Sequence, residues 1–190
     1  MPCECCCWLL LICPYTIKVW QADAQGVWAN QQQPAATLTG HAGWVSSVFL
    51  SDDKRTIISG SNDTTIKVWQ ADAQNVWANQ QQPAATLTGH AGAVSSVFLS
   101  DDKRTIISGS ADNTIKVWQA NAQGVWADQE QSAATLTGHA NWVRSVFLSD
   151  DKEIIVSGSD DLSVRIWKLQ YPESQRALIK KIGELLEQNQ

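Results

Sequence analysis

A 49-residue period constrains this chain more than any other feature. The string Thr-Ile-Lys-Val-Trp ends at Trp20, Trp69 and Trp118, and Ser-Val-Arg-Ile-Trp ends at Trp167, each step being 49 residues. The dipeptide Gly-His keeps the same step at Gly40-His41, Gly89-His90 and Gly138-His139. Residues 21–69 and 70–118 differ at four positions, Gly26/Asn75, Trp44/Ala93, Asn62/Ala111 and Thr64/Asn113, and the copy at 119–167 has diverged further. A unit of this length is one supersecondary element that cannot bury its apolar face alone, so the copies must stack on one another. The period also accounts for the aromatic composition, 10 Trp against 3 Phe and 2 Tyr.

Within a copy the pattern predicts strands throughout. Ala85-Thr-Leu-Thr, Ala93-Val-Ser-Ser-Val-Phe-Leu, Arg104-Thr-Ile-Ile-Ser-Gly-Ser and Thr114-Ile-Lys-Val-Trp are short β-branched runs separated by Ser-Asp-Asp-Lys and Ala-Asp-Asn turns. The segment after each Trp is long and carries a second tryptophan, at Trp28, Trp77 and Trp126. Gly26, Asn75 and Gly124 align in it, and the Gly/Asn interchange marks a left-handed turn.

Gly-His, then 27 residues, then Trp, with Ser-Gly-Ser-x-Asp before the last strand, resembles the WD-repeat β-propeller family over residues 21–167, with a degenerate first motif ending at Trp20. Two features depart from it: Gln21, Gln70, Gln119 and Lys168 stand where the family has Asp, and the period exceeds the usual ~40–45 residues. The excess is assigned to a lengthened Trp-containing hairpin on the outer edge of each blade. The resemblance implies an all-β fold, a partial β-propeller of four-stranded antiparallel blades. It also implies that His41, Ser59, Asp63 and Trp69, then His90, Ser108, Asp112 and Trp118, then His139, Ser157, Asp161 and Trp167 form structural hydrogen-bonded tetrads. Ser, His and Asp together suggest nucleophilic catalysis, but an active site is built once, and these sets recur three times without a Gly-x-Ser-x-Gly turn.

The remaining chemistry is soon weighed. No phosphate loop, His-x-x-x-His pair or paired Cys-x-x-Cys framework occurs, so no catalytic residue, metal site or cofactor is expected. Asp52-Asp53, Asp101-Asp102 and Asp150-Asp151 read as solvated turns rather than cation ligands. With 14 Lys+Arg against 19 Asp+Glu, the net charge of -5 leaves no basic surface for direct nucleic-acid binding.

Residues 1–13 read as a degenerate segment holding all five cysteines, Cys3, Cys5, Cys6, Cys7 and Cys13, without metal-ligand spacing. A start with Glu4 and no Lys or Arg, and an apolar run of six residues, Trp8 to Cys13, argue against a secretory signal. Lipid attachment of the cysteines beside Trp8–Ile12 is the alternative to a remnant of an upstream blade, and membrane association is not the expectation. No cysteine lies in the repeats, and a cytoplasmic location follows as the expectation. The repeats occupy 14–169. The tail 170–190 carries Leu178, Ile179, Ile182, Leu185 and Leu186 opposite Lys180, Lys181, Glu184 and Glu187, which predicts a short C-terminal amphipathic helix.

The expected function is a non-enzymatic protein–protein interaction scaffold with a protein or peptide partner. The rivals are a fragment of a larger WD-repeat protein and a propeller with a ligand-binding or enzymatic site. Near-identical copies differ on one rim, which nominates Trp44, Asn62, Trp142, Arg144 and Asp160 as protein-binding residues. By the resemblance the chain holds two whole blades between incomplete end units. Open edges invite pairing, so a homo-oligomer by strand exchange between chain ends, or aggregation, is the expected assembly.

Overall fold

A computed structural model describes residues 10–13, 15–20, 33–72, 74 and 76–168. The described residues form antiparallel strands and no helix; the helix expected over 170–190 and the cysteines before Cys13 lie outside them. Two sheets are four-stranded. One is β4 (Val45–Leu50), β5 (Thr56–Ser61), β6 (Ile66–Gln70) and β7 (Ala85–Leu87), and the other is β8 (Val94–Leu99), β9 (Thr105–Ser110), β10 (Ile115–Gln119) and β11 (Ala134–Leu136). A three-stranded sheet stands at each end: β1 (Leu10–Cys13), β2 (Thr16–Val19) and β3 (Ala36–Thr39) at the start, and β12 (Val143–Leu148), β13 (Ile154–Ser159) and β14 (Val164–Lys168) at the finish. Among the described residues the first has no inner strand and the last no outer one.

The 49-residue period becomes a stack of sheets. Each central strand is apolar along both faces, and β5 and β9 are buried at every position. One face meets the sheet before and the other the sheet after. Ile58, Ile66, Val68, Ala85 and Leu87 pack on Val94, Val97, Leu99 and Trp118. Ile107, Ile115 and Val117 pack on Val143, Val146 and Leu148. Ile17, Val19, Ala36 and Leu38 pack on Val45, Ile57 and Trp69.

A β-bulge recurs in the inner strands, where the register slips between Val45 and Ser47, Val94 and Ser96, and Val143 and Ser145. A bulge re-aims the side chain of its extra residue. Ser46 and Ser95, so aimed, donate their hydroxyls to the Val94 and Val143 carbonyls of the next sheet. Arg144 holds this position in the last sheet.

One feature differs from the sequence expectation. The segments after Trp69 and Trp118 are not hairpins on their own blades. Gln80 returns to the outer strand of the preceding sheet, where Thr39 N–H donates to Gln80 O at 2.8 Å and Gln80 N–H to Thr37 O at 3.1 Å. Gln129 repeats this on Thr86 and Thr88. Trp77 and Trp126, 7% and 4% exposed, anchor the segment, their indole N–H donating to Lys54 O and Lys103 O at 3.0 Å. The extra residues of the long period are thus a clasp between sheets. Leu10–Cys13, at the end of the degenerate first segment, forms β1 of the first sheet. Its register, Cys13↔Thr16, leaves two residues in the turn, where Gly60↔Ile66 leaves five between the paired positions.

Candidate functional site

The loop before each inner strand begins with Gly-His. Gly40, Gly89 and Gly138 sit at φ 145°, 142° and 150°, a region L-residues avoid, and a Cβ at Gly40 would lie 3.2 Å from Gln81 O. That turn drops the histidine inward. His41 Nδ1 lies 2.8 Å from Asp63 Oδ2, and its Nε2 lies 2.8 Å from Ser59 Oγ. Trp69 Nε1–H donates to the same Oγ at 3.0 Å. With Nδ1–H donating to the carboxylate, Nε2 accepts the serine proton, and the serine oxygen accepts from the indole, so every donor has an acceptor.

The same chain runs through His90, Asp112, Ser108 and Trp118 at 2.7, 2.8 and 2.9 Å, and through His139, Asp161, Ser157 and Trp167 at 2.7, 2.8 and 2.9 Å. The structure therefore brings each of the three sets together. It joins the loop before the inner strand, the turn after the second strand and the third strand itself.

The carboxylates are the most perturbed groups here. Burial pushes Asp63 and Asp112 up, but hydrogen bonds from His41 and Thr65, and from His90 and Thr114, outweigh it and hold both well below the usual carboxylate range. For Asp161 the Ser163 hydroxyl is the largest cause of the same lowering. The serine hydroxyls are enclosed, Ser59 and Ser108 at 0% and Ser157 at 1% exposure, with both neighbours already bonded. A nucleophile needs an open approach for its substrate, and these three have none.

The rim residues lie on the loops the tetrads hold. Asn62 N–H donates to Trp44 O at 2.8 Å and Asp160 N–H to Trp142 O at 3.0 Å, so the two variable loops touch in each unit; Ala111 and Ala93 repeat the bond at 2.8 Å. Trp44 is 62% and Trp142 44% exposed, while Trp69 and Trp118 are fully buried. Arg144 stacks 4.6 Å over the Trp142 ring and pairs with Asp160, its Nε 2.9 Å from both carboxylate oxygens. Each raises the other's charged form: the Arg144 guanidinium shifts up and the Asp160 carboxyl down. These three form one cluster, whereas Trp44 and Asn62 belong to a separate sheet.

The sequence reading missed how the Asp-Asp turns are used. Lys103 Nζ lies 2.5 Å from Asp53 Oδ2, and Lys152 pairs with Asp102, so each turn reaches back one sheet. The contact with Lys103 lowers Asp53 to about 2. The signal was present as Asp and Lys at a constant 50-residue separation, but nothing in one copy says that the partner lies in another. Among the described residues no cluster of His, Cys, Asp and Glu could hold a metal ion.

A comparison with curated proteins finds no match. A family model described as WD domain, G-beta repeat matches residues 32–70, 81–119 and 130–168. Each match carries one complete tetrad and ends one residue beyond its tryptophan, and together they span more than half of the sequence, so the chain belongs to the WD40 repeat family.

Proposed function

We propose that this chain is a non-enzymatic interaction scaffold whose recognition surface for a protein or peptide lies on the rim formed by the loops at Trp44, Asn62, Trp142, Arg144 and Asp160. The observation that carries the reading is the exposure of Trp44 and Trp142 on loops fixed by main-chain bonds and tetrads. A large apolar ring held in water on a rigid loop releases free energy when a partner covers it, and Trp and Arg dominate binding hot spots. Arg144, folded onto Trp142 and Asp160, presents a flat stacked surface rather than a free cation. Asn62 and Asp160 serve as polar contacts beside the rings. Membership of the family supports protein binding in general, and the enclosed Ser hydroxyls support a structural role for the tetrads. The cytoplasm is the compartment we assign, because the repeats contain no cysteine.

The test is affinity capture with the whole chain, followed by titration of the captured partner against variants. Trp44→Ala and Trp142→Ala should each weaken binding by more than about 1 kcal/mol while thermal unfolding stays nearly unchanged. Rim variants that bind as the parent does would place recognition elsewhere.

A further inference from the structure

We infer that the cleft between the sheet of β4 to β7 and the sheet of β8 to β11, at the strand ends away from the rim, binds a small polar molecule by its phosphate or carboxylate oxyanions, which Arg55 and Arg104 hold. The site goes beyond the rim reading and shares no residue with it.

The rim loops precede each inner strand and join the second strand of a sheet to the third. The turn between β4 and β5 and the segment after β6 therefore lie at the opposite ends of these antiparallel strands. There the two sheets part into a cleft of about 500 Å³, a volume that suits a small ligand. Arg55 and Gln70 line it from one sheet, and Arg104 and Gln123 from the next. The ring of Trp126, fixed by its indole bond to Lys103 O, forms part of the wall.

Charge in the cleft is unbalanced in one direction. Its carboxylates are already paired across the sheets, Asp53 with Lys103 and Asp102 with Lys152. Arg55 and Arg104 have no carboxylate partner among the described residues. The Nη2 of Arg55 donates to Asp72 O at 3.3 Å, and that of Arg104 to the Asn121 and Ala122 carbonyls. Each guanidinium is thus tied along its own loop by one nitrogen, with Nε and Nη1 left for a ligand. The Asp72 carboxylate is occupied by Gln74 N–H and Val76 N–H. A guanidinium presents its donors as a planar fork that matches two oxygens of a phosphate or carboxylate. The net charge of -5 does not cancel the two arginines, because charges more than ~8 Å away are largely screened at physiological salt.

The following seam does not repeat the site. Asp150 and Asp151 line its cleft beside Arg104 and Lys152, and Glu153 stands where Arg55 and Arg104 stand in the two copies before. Carboxylates are in excess there, so the repeat by itself does not produce an oxyanion site.

The experiment is isothermal titration calorimetry of the full chain with pyrophosphate and, separately, with citrate, at constant ionic strength. At least one should bind, and the Trp126 indole N–H resonance should shift along the same saturation curve. The tighter of the two identifies the source as a phosphate ester or a polycarboxylate. Arg55→Gln and Arg104→Gln alter exposed side chains, so each should keep the unfolding temperature and weaken binding at least about tenfold, the loss of a charge-assisted contact. Lys116→Gln removes a cation from β10 outside the cleft and should bind as the parent does. No heat and no shift with either anion, arginine variants that bind as the parent does, or an equal loss in Lys116→Gln would each overturn the inference.

Discussion

At the scale of single residues, the turn between the second and third strands of each copy holds a backbone conformation that selects its side chains. Thr64, Asn113 and Leu162 occupy the same position with φ of 70°, 68° and 66°. Asn tolerates this region, whereas an ordinary L-residue is disfavoured there by roughly 1–2 kcal/mol. Leu162 is 98% exposed, so its side chain gains almost nothing in packing to offset the strain. Leu162→Asn should therefore raise stability by about 1 kcal/mol, read as a higher urea midpoint with unchanged slope. No gain would show that the turn is not strained. Variation at this position looked in the sequence like a changing recognition surface; the backbone angle supplies a second cause.

At the scale of elements, tetrads and clasps hold strands at their proper distances. His90 is 6% exposed and bonds to both Asp112 and Ser108. Removing its ring in His90→Ala leaves the buried Ser108 hydroxyl and the half-buried Asp112 carboxylate each short of a partner, and stability should fall by about 1–3 kcal/mol in denaturant titration. A variant as stable as the parent would contradict the network.

The carboxylates give the same element a pH signature. Asp63, Asp112 and Asp161 all have folded pKa values below the unfolded value of about 3.9. As pH falls, the unfolded chain takes up protons first. The stability these groups contribute is therefore full above roughly pH 5, and it is lost progressively below about pH 4. Urea midpoints measured from pH 6 to pH 2 should show that fall, and a flat profile would rule it out. For the clasp, Trp126→Phe keeps a buried ring but removes the donor to Lys103 O, and should cost about 1–2 kcal/mol by thermal unfolding.

At the scale of the whole molecule, each sheet is supported by its immediate neighbours, so stability is graded along the stack. The sheet of β8 to β11 is packed on both faces, by the sheets of β4 and β12, whereas among the described residues β14 has no strand beyond it, and its Val164 and Ile166 are exposed. Native-state hydrogen exchange on dilute protein should show the slowest amides in β9, around Ile106 and Ile107, and the fastest ladder amides in β14. Equal protection in both would mean that the end face is covered in solution even when dilute.

The repeat alone was enough to read the strands, the tetrad members and the position of the two variable loops, because each depends on residues within one 49-residue copy. Ser59, His41, Asp63 and Trp69 carry their relationship in fixed offsets, and β-branched runs between turns leave few alternatives to a strand. What lies between copies could not be read that way. The pairing of Lys103 with Asp53, the bulged Ser46 reaching Val94, and the return of Gln80 to Thr37 and Thr39 each join residues of neighbouring copies. Near-identical copies give the sequence no means of showing which copy meets which. That choice belongs to the stacking of the sheets, since burial of both faces of β5 and β9 requires a neighbour on each side, and the sheets before and after supply it.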